Sequence, residues 1–306
     1  MASSTTLSEK QPLFARETRP KHARYVLVIH GGAGTMSRQG ATPEERARYK
    51  TALSEALKAG YAVLEDGGEA MDAAVAAVAS MEGEYTRRFE PAGLADDMLA
   101  QINELETSIM LSKPPQSHPH IPSSRRGFGL TLLTHVRNPS KLARALYLAP
   151  TAAPHTMLSG TAAEEIGKEL GIELVDERYF FTETRWREHK RGLGLPEEPL
   201  PYPDNGSDDP RAIPLDQLPT GTVGAVALDV RGCIAAVTST GGKTNKLVGR
   251  IGDTPSMAAG FWAEEWTPKR KGIRGIWNRL VGDKKKVAVG VSGTGDGDVS
   301  RTASPK

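Results

Sequence analysis

The amino-acid sequence predicts an α/β fold in which sheets lie between helical layers. Short β-rich runs occupy residues 25–30, 222–229, 233–240 and 287–292. Between the first run and the later ones, apolar residues recur at helical spacing. Strands mixed with helices in this order are typical of sheets packed against helices. We find no internal repeat, so a repeat architecture is not predicted.

The N-terminal part of the chain predicts a strand followed by helices. Residues 25–30 (YVLVIH) are apolar and β-branched, and the glycine cluster HGGAGT ends them. Thr42-Pro43-Glu44-Glu45 is a capping box with proline at the first helical position, and Gly67-Gly68 ends that helix. Residues 70–81 are apolar on nearly every side, which predicts a buried helix. Residues 84–103 continue with a charged helical pattern.

The central part predicts one strand and two helices. Residues 127–136 (GFGLTLLTHV) have the composition of a strand. Asn138-Pro139 predicts a capped helix that runs through residue 148, and residues 161–170 predict another. Residues 193–219 carry seven prolines and many polar residues, which predicts an exposed linker open to cleavage.

Composition argues against several partners and locations. The chain has 39 basic and 37 acidic residues, so its overall charge favours neither a nucleic-acid nor a membrane partner. No run of 18 apolar residues is present to span a membrane. Residues 1–24 are polar and predict a disordered lead without a signal peptide. The single cysteine, Cys233, suits a reducing compartment, and we therefore expect a cytoplasmic protein.

The two β-rich runs after the proline-rich segment predict a hairpin. If Val230-Arg231-Gly232 is a three-residue loop with glycine at the left-handed position, Asp229 pairs with Cys233. The same register sets Thr222 opposite Thr240 at the open end of the hairpin. A two-residue loop would shift the register by one and separate the two hydroxyls.

That pair of hydroxyls could perform nucleophilic chemistry. A threonine hydroxyl needs a base, and cleavage of the Gly221–Thr222 bond would free an α-amine with a pKa of about 8 on the same residue. Gly221 would tolerate the strained backbone that such a cleavage requires, and Thr240 would hold the nucleophile in place. The alternative is that both threonines are ordinary strand formers.

Five segments carry a resemblance to a known family: HGGAGT, RNPSKLARALYL, TVGAVALD, TSTGGKTNKLVGRIGDTP and VSGTGDGD. In order and type they resemble the plant-type L-asparaginase/isoaspartyl peptidases, which are N-terminal-nucleophile hydrolases with threonine aspartase-like relatives. The resemblance covers roughly residues 25–83 and 103–298. It implies an αββα four-layer sandwich in one domain, residues 25–306. Autocatalytic cleavage would divide it into an α chain, residues 25–221, and a β chain, residues 222–306.

The resemblance also implies a role for each matching residue. Thr222 would be the nucleophile, exposed by cleavage after Gly221, and Thr240 would orient it. Arg250 and Asp253 would bind the α-carboxylate and α-ammonium of a substrate, in keeping with the bidentate fit of arginine to carboxylate. In the GTGDG segment, Thr294 would assist catalysis, and Gly295 and Gly297 would contact the substrate. The expected substrate is L-asparagine or a β-aspartyl peptide, and the expected assembly is a homodimer of cleaved protomers.

Two departures from the family pattern leave alternatives open. Residues 82–101 (EGEYTRRFEPAGLADDMLAQ) stand where the family has an FNAG segment and a sodium-binding loop, so we predict no metal and no cofactor. The chain ends eight residues after GDGD, which predicts a C-terminally truncated sandwich. One alternative is therefore an inactive or unstable truncated family member. Another is a threonine aspartase-type endopeptidase, because the long stretch of residues 121–222 is more like that group of the family.

Three further features lie outside these motifs, namely a basic segment, a pair of histidines in a loop and His30. The basic residues 269–286 predict a solvated loop, with a nucleic-acid patch as the alternative. His118 and His120 are too few to bind a metal and are expected at the surface. His30 either lines the site or is a buried histidine with satisfied hydrogen bonds.

Overall fold

The structure of the chain is a computed structural model. It describes residues 25–32, 42–85, 104–180, 183–197, 221–242, 245–268 and 286–294. The predicted N-terminal lead therefore lies outside the described residues, as do most of the charged segment 84–103, of the proline-rich linker and of the basic cluster. Among the described helices, none is both long and apolar enough to cross a membrane.

The described residues form five helices, eight strands and one short 3₁₀ turn. The helices are α1 (Pro43–Glu65), α2 (Ala70–Tyr85), α3 (Pro139–Leu148), α4 (Gly160–Glu169) and α5 (Glu183–Gly192). The strands are β1 (Val26–His30), β2 (Leu105–Leu111), β3 (Gly127–Leu133), β4 (Met157–Ser159), β5 (Val223–Leu228), β6 (Ile234–Thr240), β7 (Phe261–Trp266) and β8 (Val287–Ser292). The 3₁₀ turn covers Glu177–Phe180.

Six strands form the main sheet, in the order β1-β5-β6-β2-β3-β4. Its neighbouring strands are antiparallel except for the pair β3 and β4. Helices α2 and α3 pack on one face of this sheet, and α1 packs on α2. Alternate residues of β5, namely Val223, Ala225 and Ala227, belong to the apolar core on the helix side.

A second sheet packs on the opposite face. It consists of β7 and β8, which are antiparallel and contact β2, β5 and β6. A smaller apolar core of Met110, Ala236, Phe261 and Ala263 lies between the two sheets. The predicted α/β class is thus confirmed, because helices pack on one face of the main sheet and the second sheet packs on the other face.

The β5–β6 hairpin has the predicted register. Val223 pairs with Ser239, so the next position toward the open end holds Thr222 and Thr240. At the closed end the Asp229 amide donates to the Cys233 carbonyl at 3.1 Å. Gly232 has a φ of 76°, the left-handed conformation that the three-residue loop requires. The alternative two-residue loop is therefore wrong.

The cap of α3 differs from the predicted one. Asn138 occupies the N-cap position, but its side chain makes no capping hydrogen bond. Instead Glu82, at the end of α2, accepts hydrogen bonds from the Ser140 amide at 2.8 Å and the Ser140 hydroxyl at 2.7 Å. A carboxylate is favoured at a helix N-terminus because free amides point toward it. Glu82 is buried, and burial raises the pKa of its carboxyl group.

Asp229 ties the hairpin to α2 and carries a testable stability effect. Its carboxylate is buried and accepts hydrogen bonds from the amides of Arg231 (2.9 Å), Cys233 (3.0 Å) and Ala70 (3.2 Å). Asp229→Ala leaves these buried donors without an acceptor, so the unfolding free energy should fall by about 3 kcal/mol in urea denaturation. The exposed Asp66→Ala variant is the control. Equal midpoints for the two variants would contradict this role.

Candidate active site

Four strand ends of the two sheets meet at one edge of the molecule. Thr222 precedes β5 and Thr240 ends β6, and both are buried. His30 ends β1 and lies beside Gly224 of β5. Ser292 ends β8, so the second sheet reaches the same edge. The structure thus brings the two sequence-predicted threonines into one neighbourhood with a histidine.

The backbone before Thr222 is unusual in one respect. Gly221 has a φ of 137°, in the region that residues with a side chain rarely adopt. Strained backbone is often held in place at functional sites by the surrounding structure. The peptide bond that the sequence marks for cleavage therefore follows a residue whose conformation requires glycine.

A chain of hydrogen bonds connects His30 to the centre of this edge. The His30 Nε2 atom lies 2.8 Å from the Ser292 hydroxyl, which lies 2.7 Å from the Thr238 hydroxyl. The Thr240 hydroxyl accepts a hydrogen bond from the Gly242 amide at 3.1 Å. Burial lowers the pKa of His30, although hydrogen bonds to the backbone at Gly31 and Thr222 oppose the shift. His30 therefore lies at the edge that holds Thr222, with its ring hydrogen-bonded to Ser292.

The lowered pKa of His30 predicts a pH effect on stability. The folded chain keeps His30 neutral below its ordinary pKa of 6.5, whereas the unfolded chain takes up a proton there. The stability that comes from a neutral His30 is therefore fully present above pH 6.5 and is lost as the pH falls through the folded pKa. Urea denaturation from about pH 7 to about pH 5 should show a smaller loss for His30→Gln than for the wild type.

The control for this effect is the exposed His155→Gln variant. It should lose as much stability on acidification as the wild type does, because its side chain is solvated in both states. Identical pH profiles for the His30→Gln variant and the wild type would show that His30 is not held neutral by the fold.

The loop that carries Arg250 and Asp253 follows β6 and is anchored on β2. Glu104 accepts hydrogen bonds from the Gly249 amide at 2.9 and 3.1 Å. Glu106 accepts one from the Gly252 amide at 2.8 Å, and it pairs across the sheet with Thr240. These contacts hold both ends of the Arg250 turn next to the end of β6. The two predicted substrate-binding residues thus lie in a loop bound to the same edge as Thr240.

Lys246 completes a buried charged cluster under this loop. Its Nζ atom lies 3.0 Å from the Glu104 carbonyl and 3.4 Å from the Glu104 carboxylate. Burial raises the pKa of Glu106 and lowers that of Lys246, and the attraction between the two charges opposes both shifts. Sequence reasoning missed this cluster. The signal was the alternation of Glu104 and Glu106 in an apolar segment, since buried carboxylates require partners.

The third predicted catalytic residue also lies near this edge. Thr294 comes two residues after Ser292, and the intervening Gly293 amide donates to the Gly260 carbonyl at 3.0 Å. Gly295 and Gly297 lie outside the described residues. Within the described part of the chain, no group of three or more His, Cys, Asp or Glu side chains could hold a metal ion.

Comparison with known proteins decides the family. The family model described as Asparaginase matches residues 23–267, which is more than half of the chain. The chain belongs to the asparaginase family. This membership implies the N-terminal-nucleophile hydrolase fold, and the predicted hydrolase class is confirmed.

Several relatives in this family resemble the chain over most of its length. The isoaspartyl peptidase of Escherichia coli (strain K12) is 34% identical over 241 residues, covering 78% of this chain and 67% of that protein. The isoaspartyl peptidase/L-asparaginase of Mus musculus is 34% identical, with coverages of 78% and 64%. That of Danio rerio is 32% identical, with coverages of 78% and 66%. The chain of this asparaginase-family protein thus spans about two thirds of the length of these relatives.

Proposed function

We propose that this asparaginase-family protein hydrolyses L-asparagine, β-aspartyl (isoaspartyl) peptides or both, with Thr222 as its nucleophile. The proposal rests above all on the start of β5. There, Thr222 follows a glycine with a φ of 137°, which residues with a side chain rarely adopt, and the register of the hairpin puts Thr240 opposite. The names of the relatives agree with this substrate class, because they are isoaspartyl peptidases and L-asparaginases.

Self-cleavage would come first. The Thr222 hydroxyl attacks the Gly221 carbonyl carbon, and the peptide bond to the Thr222 nitrogen breaks as an ester forms. Water then hydrolyses the ester, which leaves a carboxylate on Gly221 and a free α-amine and hydroxyl on Thr222. Thr240, whose hydroxyl already accepts the Gly242 amide hydrogen, retains a hydrogen to donate toward Thr222.

Substrate hydrolysis would use the same hydroxyl. The α-amine of Thr222 takes the hydroxyl proton as the oxygen attacks the side-chain amide carbonyl of the substrate, and it passes the proton to the departing ammonia or peptide amine. Water then releases aspartate, or an aspartyl product, from the acyl-enzyme. Thr294 and Gly295 would stabilise the oxyanion. Arg250 and Asp253 would fix the α-carboxylate and α-ammonium, and Gly297 would keep the loop close to the ligand.

The structure of residues 121–197 bears on the endopeptidase alternative. The described part of this stretch forms β3, α3, β4 and α4, which pack into the main apolar core, and α5. Its length therefore serves the scaffold and supplies no argument for a protein substrate. We favour a small-molecule or short-peptide substrate, and the single buried cysteine supports a cytoplasmic location.

We also propose that the two sheets are the inner layers of a four-layer αββα sandwich. The support is the outer face of β8, where Val287, Val289 and Val291 are all exposed. A row of exposed valines on a strand is expected where another layer packs. The truncated and unstable alternative would leave this face in water.

Two measurements test the proposed function. Intact mass spectrometry of the purified chain should show two fragments that meet between Gly221 and Thr222. The cleaved protein should release ammonia from L-asparagine or aspartate from a β-aspartyl dipeptide. A chain that stays intact on long incubation and releases neither product would support the inactive alternative.

The conformation of Gly221 predicts a slow-cleaving variant. Gly221→Ala adds a Cβ where φ is 137°, so the backbone before Thr222 must relax to a different conformation. We expect self-cleavage to slow at least about 10-fold in a time course of intact mass, because a misplaced attack geometry is costly. Gly171→Ala, also at a positive φ but remote in α4's C-terminal turn, is the matched control and should cleave at the wild-type rate. Equal rates for both variants would remove this argument for the cleavage site.

A further inference from the structure

Helix α5 contacts the loop that carries the proposed substrate-binding residues. His189 of α5 is only 3% exposed, and its Nδ1 atom is hydrogen-bonded to the side-chain oxygen of Asn245. At the end of the helix, a Cβ on Gly192 would overlap the Asn245 side-chain nitrogen. Both polar atoms of the Asn245 side chain therefore lie against α5.

Asn245 begins a loop that also makes contacts with residues outside α5. Asn245 has a φ of 56°, in the left-handed region that asparagine adopts more readily than most residues with a side chain. The next residue, Lys246, is buried against Glu104, and Glu104 also binds the Gly249 amide. The loop of residues 245–252 is thus held between β2 and α5.

The His189 ring lies among other side chains of α5. Trp186 is buried, and its ring centroid lies 5.9 Å from that of His189. The Lys190 ammonium lies 4.5 Å from the Trp186 ring centroid, a cation–π contact within the same helix. Burial lowers the pKa of His189, so the ring is neutral at neutral pH and uses its Nδ1 hydrogen for Asn245.

We propose that α5 positions the substrate-binding loop through the His189–Asn245 hydrogen bond, and that His189 is a positioning residue for substrate binding. This inference rests on the proposed function. Because α5 precedes Gly221 and the loop follows Thr222, the contact joins the two chains that self-cleavage would create. The segment before the cut thereby continues to shape the site that the cut activates. His189 acts on Arg250 through the loop and touches no reacting atom.

The kinetic test compares two substitutions of His189 in the cleaved enzyme. His189→Phe keeps the ring beside Trp186 but removes the donor to Asn245, and the KM for L-asparagine should rise about 5- to 10-fold with kcat nearly unchanged. His189→Asn supplies an amide hydrogen close to the position of Nδ1 and should restore most of the loss. Arg191→Ala, exposed on the same helix, is the control and should leave KM unchanged.

A second test does not depend on activity. Hydrogen exchange at the Gly249 and Gly252 amides should speed up in His189→Phe and stay slow in His189→Asn and Arg191→Ala. Asn245→Gly removes the other partner of this hydrogen bond. Glycine tolerates the positive φ at this position, so the backbone of the loop can keep its conformation. The effect of Asn245→Gly on exchange should not add to that of His189→Phe.

The outcomes separate the two proposals. If the wild type hydrolyses no substrate but His189→Phe still exposes the Gly249 and Gly252 amides, the proposed function fails and the positioning role of α5 stands. If His189→Phe changes neither KM nor exchange, the positioning role is wrong. If His189→Phe lowers kcat, and if Arg191→Ala raises KM as much as His189→Phe does, α5 has only a structural role. Should His189→Phe fail to fold, Asn245→Gly decides by the same measurements.

Discussion

Thr222→Val should leave the chain uncut and abolish hydrolysis of L-asparagine and β-aspartyl dipeptides. Valine has nearly the shape of threonine, so the buried position before β5 stays filled, but no oxygen remains to attack the Gly221 carbonyl. Intact mass spectrometry should give one full-length species after an incubation that cuts the wild type completely. This is the largest effect we expect, because one group would perform both self-cleavage and turnover.

The matched variant is Thr222→Ser, which keeps the hydroxyl and loses only a methyl group. It should cut itself, more slowly than the wild type, because the hydroxyl rotates more freely without the β-branch. A Thr222→Val protein that still divides at residue 221 would show that another group performs the cleavage. Division at a different bond would place the N-terminal nucleophile elsewhere.

Arg250→Ala should raise KM strongly while self-cleavage proceeds. A charge-assisted bidentate contact to the α-carboxylate is worth roughly 1.5–3 kcal/mol, which corresponds to about a 10- to 150-fold increase in KM. Steady-state kinetics with L-asparagine measures this, and intact mass confirms that the cut at Thr222 still occurs. Arg250→Lys should recover part of the loss, because the charge returns without the planar fork.

The control is Arg137→Ala, which removes an arginine whose partner is the exposed Glu173 on the surface. Its KM should match that of the wild type, since exposed ion pairs contribute little. An unchanged KM in Arg250→Ala would mean that the substrate carboxylate is bound by another group. A loss of solubility or of cooperative unfolding would instead assign Arg250 to the charged cluster of Glu106 and Lys246.

Local sequence signals predicted the elements that depend on short-range chemistry. The Ala-rich helix α2, the start of α3 at Asn138-Pro139 and the register of β5 and β6 follow from periodicity, proline and the left-handed Gly232. The hairpin is the strongest case, because a loop of three residues leaves only one pairing for Thr222 and Thr240. Each of these features involves residues close together in the chain.

Strands with polar residues at buried positions were missed. Strand β2 contains Glu106, Thr107 and Ser108, all fully buried, so its composition does not resemble a central strand. The sheet accepts them because Thr107 donates to the Thr238 carbonyl, Ser108 to the Thr254 carbonyl, and Glu106 binds the Gly252 amide. Those acceptors and donors lie more than a hundred residues away, so no local window of sequence contains them.

The same distinction between local and distant residues applies to the candidate site. The register of the hairpin singles out Thr222 and Thr240, and the resemblance to the family singles out Arg250 and Asp253. The supports of these residues come from distant segments, namely Glu104 under the Gly249 turn, Ser292 against His30, and His189 against Asn245. A buried polar group must find a partner somewhere in the fold, but packing of the whole chain selects which one.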